Sequence, residues 1–138
     1  MKKIVFCLCA VLAASVLALA QNNAASAGKI FITSSVFRFG SYEVKPEFVK
    51  FIEDKAADLK TVNYNKLVIS GHTDNIGDRD FNIWLSKMRA KAVVDLFVKN
   101  GIPENKIEVR GFGPDQPSGD NSTAAGRSAN RRVEVKVE

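Results

Sequence analysis

Along this chain the spacing of apolar residues switches between two periods, and the switches mark the elements. Lys29 to Phe39 (KIFITSSVFRF) is β-branched and aromatic, which predicts a strand running into an irregular stretch, with Gly40-Ser41 as a turn. From Glu47 to about Thr61 the period becomes helical: Val49, Ile52, Ala56 and Leu59 recur on one face, and Pro46 suits the first turn. Lys66 to Ser70 (KLVIS) reads as a short apolar strand ending at Gly71-His72-Thr73-Asp74. A second helix is expected from about Phe81 to Asn100, capped by Gly101 and stopped by Pro103. Apolar and charged residues then alternate strictly in 107–110 and again in 133–137, so two strands with one buried and one wet face are expected. The Gly-, Pro- and Asn-rich stretch between them is read as loop, with a short helix around 123–129. The fold class is therefore α+β, a two-layer sandwich with helices on one face of a sheet.

The second helix contains a misfit. Its apolar stripe should be fixed by Leu85, Ala92, Val93, Leu96 and Phe97, yet at 100° per residue Asn82, Ser86 and Arg89 fall on the same inward face. Thr73 and Asp74 come where the preceding strand gives way to a loop, a place where α/β folds bind ligands. The loop from Asn75 to Asp80 folds the chain back, bringing Asp74 and the first half of the helix to one corner. Two explanations stand level at this point. One is a structural Asp74–Arg89 ion pair with Asn82 capping the helix. The other is a binding corner for a zwitterion, with an ammonium on Asp74 and a carboxylate forked by Arg89. A buried salt bridge is a poor source of stability, so an inward Arg calls for a reason beyond folding.

The first residues change the picture of where the chain works. Lys2 and Lys3 precede an apolar run from Ile4 to Ala20, and Ala18-Leu19-Ala20 offers a small-x-small cleavage site. That layout predicts a secretory signal peptide over 1–20, cleaved, with a polar linker over 21–28 and one domain over 29–138. No integral membrane segment is then expected after cleavage. Both cysteines, Cys7 and Cys9, lie in the signal, so no disulfide is expected, and neither sits at a lipidation position. The formal charge of +5 loses Lys2 and Lys3 on cleavage, leaving +3. So mixed a surface, without an aromatic stacking platform beside Arg127, Arg131 and Arg132, does not read as a nucleic-acid binder. His72 is the only histidine and has no ligand cluster at metal spacing, so no metal or cofactor is expected. Trp84 falls on the outer helix face, and Asn121-Ser122-Thr123 matches a glycosylation acceptor to which no weight is given.

Taken in order, Phe37-x-Phe39-Gly40-Ser41, Pro46, Gly71-His72-Thr73-Asp74, Gly77, Asn82, Leu85-Ser86, Arg89-Ala90, Gly101-Ile102, Gly111 and Asn130-Arg131-Arg132-Val133 closely resemble the OmpA-like C-terminal domain. The resemblance covers about 29–138. It implies a β-α-β-α-β-β fold with a mixed sheet, and non-catalytic binding of peptidoglycan through the diaminopimelate residue of the stem peptide. By resemblance Asp74 holds the ammonium and Arg89 the carboxylate, with Asn82, Thr73, Leu85 and Arg131 completing the pocket. Tyr42, Ser86 and Asn75 are secondary candidates. Expected partners are diaminopimelate-type peptidoglycan and either an envelope protein or a second copy of the chain. The expected location is the periplasm, at the wall or the outer membrane. Two other readings fit the same residues: a protein-interaction module with a vestigial pocket, and a wall hydrolase using Asp74 and His72, which lacks an accompanying nucleophile or metal set.

Overall fold

The computed structural model of the chain describes residues 28–38 and 40–138. The signal peptide expected over 1–20, and the linker apart from Gly28, lie outside the described residues. Strands β1 (Lys29–Thr33), β2 (Leu67–His72), β3 (Ile107–Gly111) and β4 (Arg132–Val137) form one sheet in the order β1-β4-β2-β3. β4 runs antiparallel to both β1 and β2, while β2 and β3 are parallel. Helices α1 (Pro46–Lys60) and α2 (Arg79–Lys99) are the two long ones, and a short α3 (Ala124–Asn130) precedes β4. The mixed-sheet α+β fold is as expected.

Register explains the layers. Ile32 pairs with Val133, Ile69 with both Val135 and Val109, and Leu67 with both Val137 and Ile107. Because side chains alternate along a strand, these residues share one face, and they form the core with Ile52, Ala56 and Leu59 of α1. The alternate positions carry charge on the opposite face, where Lys29 and Arg132 both meet Glu134, at 3.2 and 2.7 Å. Strand β1 ends at Thr33 because its partner runs out: Thr33 pairs with Arg132, the first residue of β4. The chain then turns through a 3-10 helix, Ser34–Val36, with the Ser34 N–H donating to the Arg131 carbonyl at 3.0 Å.

Helix α2 starts at Arg79, two residues before the expected start, because the Asp78 side chain caps it by accepting from the Phe81 N–H at 2.8 Å. Its buried stripe includes Val93 and Phe97 as expected. Ala90 and Val94 join it, whereas Ala92 and Leu96 are only partly buried. Both still pack against the core, and α1 packs alongside α2. Among the described residues no helix is long and apolar enough to cross a membrane.

Candidate functional site

The crossing of α2 over the sheet is set by glycines. Gly71 and Gly111 pair across β2 and β3. A Cβ on Gly71 would lie 1.8 Å from the Ser86 carbonyl oxygen, and one on Gly111 would lie 2.6 Å from the Lys87 Cβ. The first two turns of α2 therefore rest directly on the strand ends, next to the loop that follows β2. The Ser86 hydroxyl is fully buried at this contact, accepting from the Gly113 N–H at 2.9 Å and donating to the Ile83 carbonyl at 2.8 Å.

Past His72 the chain is tied down residue by residue. The Thr73 N–H donates to the Gly113 carbonyl at 2.8 Å, and its hydroxyl donates to the Asp74 carbonyl at 2.9 Å. One carboxylate oxygen of Asp74 accepts from the Ile76 N–H at 3.1 Å, which closes the turn. The other accepts from Arg131 Nη1 at 2.8 Å. Asn82 reaches back from α2 and donates its amide to the Ile76 carbonyl at 2.8 Å, pinning the loop to the helix. Arg89, two turns further, donates from Nε to the Ser41 carbonyl at 2.9 Å. Its guanidinium carbon lies 5.3 Å from the centroid of the Phe37 ring. Phe37 is held in place by an isolated bridge to Val44.

These groups surround a cleft of about 630 Å³. Thr73, Asp74, Asn82, Leu85, Arg89 and Arg131 all line it. So do Ser34, Ser35, Phe37, Arg38, Lys45, Ile76 and Phe81, which the sequence reading did not assign to the site. Among the described residues, Arg38, Lys45, Arg89 and Arg131 line the cleft with one carboxylate, Asp74; Arg38 is paired with Glu43 at 3.3 Å, and Lys45 donates to the Ser35 carbonyl at 2.8 Å. Burial pulls the Arg89 guanidinium below its ordinary pKa; Arg131 adds to the effect and Asp74 opposes it. A guanidinium remains cationic at neutral pH regardless. The cleft is therefore a partly desolvated, net positive site with a single fixed negative group. Such a site suits an anion-rich ligand that also carries an amine. A second cleft, of about 600 Å³, opens at the other end of β2. Its Lys60 and Lys106 ammonium groups donate to the Asn100 and Tyr64 carbonyls.

The structure departs from the sequence reading in several places. Asp74 and Arg89 are not an ion pair; the carboxylate pairs with Arg131, and Arg89 makes no ion pair among the described residues. Asn82 does not cap α2, since Asp78 does. Ser86 faces the strand ends rather than the cleft. Asn75 is exposed and does not line the cleft. Tyr42 lies outside the lining as well, edge-on to Trp84 with centroids 5.8 Å apart. His72 is buried away from the cleft, stacked on Phe112 at 5.4 Å, and among the described residues its two ring nitrogens have no hydrogen-bond partner. An Asp74–His72 acid–base pair thus has no common space in which to act.

Comparison with known proteins identifies the family. The OmpA family model matches residues 36–131. The chain is 41% identical over 109 residues to the outer-membrane lipoprotein YfiB of Pseudomonas aeruginosa, a stretch covering 78% of this chain and 65% of that protein. It is 34% identical over 105 residues to the peptidoglycan-associated lipoprotein of Pseudomonas putida, covering 76% of this chain and 63% of that one. The match therefore spans somewhat less than two thirds of either relative. Among solved structures, the cell wall anchor of the T6SS from Pseudomonas aeruginosa superposes with a TM-score of 0.72 at 26% identity, covering 91% of this chain and 95% of that one. The matched stretch includes Asp74, Arg89 and Arg131 and every other cleft-lining residue except Ser34 and Ser35, and by the match of the family model over 36–131 the chain belongs to the OmpA family.

Proposed function

We propose that this chain is a non-catalytic peptidoglycan-binding protein of the periplasm that grips the diaminopimelate residue of the stem peptide. The observation that carries the reading is the separation of charge inside one cleft. Asp74 is anchored at the end of β2, and Arg89 rises from α2 with its Nε already engaged by the Ser41 carbonyl. The side-chain end of diaminopimelate is an amino-acid head group. Its ammonium would take the remaining lone pairs of Asp74 beside Arg131, and its carboxylate would meet Arg89. The surplus of positive charge has a use as well, because a stem peptide carries further carboxylates from its glutamate and its terminus. The family relatives support association with the wall: one is named as peptidoglycan-associated, and a structural neighbour is described as a cell wall anchor.

Hydrogen bonds to charged groups contribute about 1.5–3 kcal/mol each, so losing one pole should cost at least ~10-fold in affinity. The test is co-sedimentation with purified diaminopimelate-type sacculi, comparing the unmodified protein with Asp74→Ala and Arg89→Ala. The unmodified protein should pellet and both variants should stay largely in solution. Equal retention of the variants would remove the cleft from wall binding.

A further inference from the structure

Four of the six large apolar side chains that the described residues leave exposed gather at the mouth of the cleft: Ile76 (64% exposed), Phe81 (49%), Trp84 (48%) and Tyr42 (39%). Ile76 and Phe81 line the cleft itself. From Phe81 the surface continues outward, with Trp84 tilted against it at 5.6 Å between centroids and Tyr42 edge-on to Trp84 at 5.8 Å. Tyr42 is carried by the same loop whose Ser41 carbonyl holds Arg89. The rings therefore form an uncharged shelf leading away from a cationic cleft. We infer that this shelf, Phe81–Trp84–Tyr42, is a saccharide subsite that packs against the glycan backbone of peptidoglycan while the stem peptide occupies the cleft.

The inference rests on the stem-peptide reading, and three features of the shelf favour a sugar. The first is charge. The cleft is net positive and the shelf has no charged ring or side chain of its own, which matches a ligand with anionic peptide at one end and neutral sugar at the other. The carboxyl group of the lactyl ether is neutralised by the amide to the first stem residue, so the disaccharide carries no charge. The second is chemistry. One face of a pyranose ring is a set of C–H bonds, weakly positive like the edge of an aromatic ring, and it packs well on a π face. The third is reach. Between the bound head group and the sugar lie the diaminopimelate side chain, two residues, one of them joined through its γ-carboxyl, and the lactyl ether; the two residues alone extend about 7 Å at about 3.5 Å each, and the other links lengthen the span well beyond that. That exceeds the 5.6 Å between the rings of Phe81, in the cleft lining, and Trp84. Because the sugar is covalently joined to the bound peptide, its contact is intramolecular and needs little intrinsic affinity to register.

Trp84 is the only tryptophan of the chain, so its emission reports on the shelf directly. The test titrates the protein with the free tripeptide L-alanyl-γ-D-glutamyl-diaminopimelate and with the same tripeptide carrying N-acetylglucosaminyl-N-acetylmuramic acid. The disaccharide-tripeptide should bind about 3- to 10-fold tighter. It should also shift Trp84 emission in a way that the free tripeptide does not. Trp84→Ala, a change at a half-exposed position, should bring the two ligands to the same affinity and leave the tripeptide unaffected. Equal affinities with a silent Trp84 would overturn the shelf and leave the cleft reading intact. Equal weakening of both ligands by Trp84→Ala would also overturn it, since Trp84 would then act by supporting the cleft. Unaltered binding of both ligands by Trp84→Ala would overturn it too, because the sugar would then gain nothing from Trp84. Failure of both ligands to bind would overturn the cleft reading and the shelf with it.

Discussion

The two halves of α2 bury comparable faces with opposite chemistry. In the C-terminal half the covered residues are Ala90, Val93, Val94 and Phe97, all packed into the core between the sheet and α1. In the N-terminal half they are Asn82, Leu85, Ser86 and Arg89. The apolar half gains from leaving water, at about 25 cal/mol per Å² of apolar surface. The polar half gains little or loses, because each buried polar group must recover its lost hydration from hydrogen bonds. Asn82 and Ser86 recover it from loop and helix backbone, whereas Arg89 recovers it in part, from one carbonyl and a ring face. One helix thus supplies stability at one end and an unspent charge at the other. The cleft opens only beside the second.

If that contrast is right, equivalent truncations in the two halves should have different signatures. Phe97→Ala should destabilise the fold by about 3–5 kcal/mol in urea unfolding, with ligand affinity of the folded fraction unchanged. A buried polar group with no part in the cleft sharpens the contrast. Burial, reinforced by Arg132 and Lys29 and opposed by Glu134, pushes the His72 pKa from 6.5 down to about 4. The unfolded state then takes up a proton that the folded state refuses, so stability is lost as pH falls from about 6.5 toward 4. At pH 4.5 the loss from this residue should be about 2–3 kcal/mol. His72→Phe should abolish that part of the pH dependence, which paired unfolding curves at pH 7 and pH 4.5 would reveal.

Arg89→Ala should give the reverse of Phe97→Ala. Binding should fall at least ~10-fold while stability changes by no more than about 1 kcal/mol, because a partly compensated buried charge adds little to folding. A large loss of stability with unaltered binding would place Arg89 with the core instead. The smallest effect is expected at the helix start. Asp78→Ala removes the cap and should cost about 1 kcal/mol of stability, with only a slight effect on binding, since Asn82 still ties the loop to the helix.

Much of this was legible from helical phase. A period of 3.6 places Asn82, Leu85 and Arg89 on one face, and the following strand end brings Asp74 to it, as the structure has it. Phase was too coarse for Ser86. It lies about 60° around the helix from Arg89, still inward, but that direction leads to the strand ends rather than the cleft. The true partner of Asp74 was beyond any local pattern. Arg131 is 57 residues away and arrives only because β4 inserts between β1 and β2, which hydrophobic alternation does not encode. The contributions of Ser34, Ser35, Arg38 and Lys45 were missed for a related reason. They sit on a turn and loop built from backbone hydrogen bonds, where side-chain spacing has no period to read. The resemblance pointed at Phe37 and Ser41 without giving either a role; one lies under the Arg89 guanidinium and the other lends it a carbonyl.

The central claim is that Arg89 and Asp74 read the two charges of one head group. Calorimetric titration of the protein with L-alanyl-γ-D-glutamyl-diaminopimelate, and separately with the lysine tripeptide, tests it most directly. The lysine peptide keeps the side-chain ammonium and lacks the carboxylate, so Arg89 is left without its partner. The account requires the diaminopimelate peptide to bind at least ~10-fold tighter, and that preference to vanish in Arg89→Ala. Equal affinity of the unmodified protein for both peptides would contradict it.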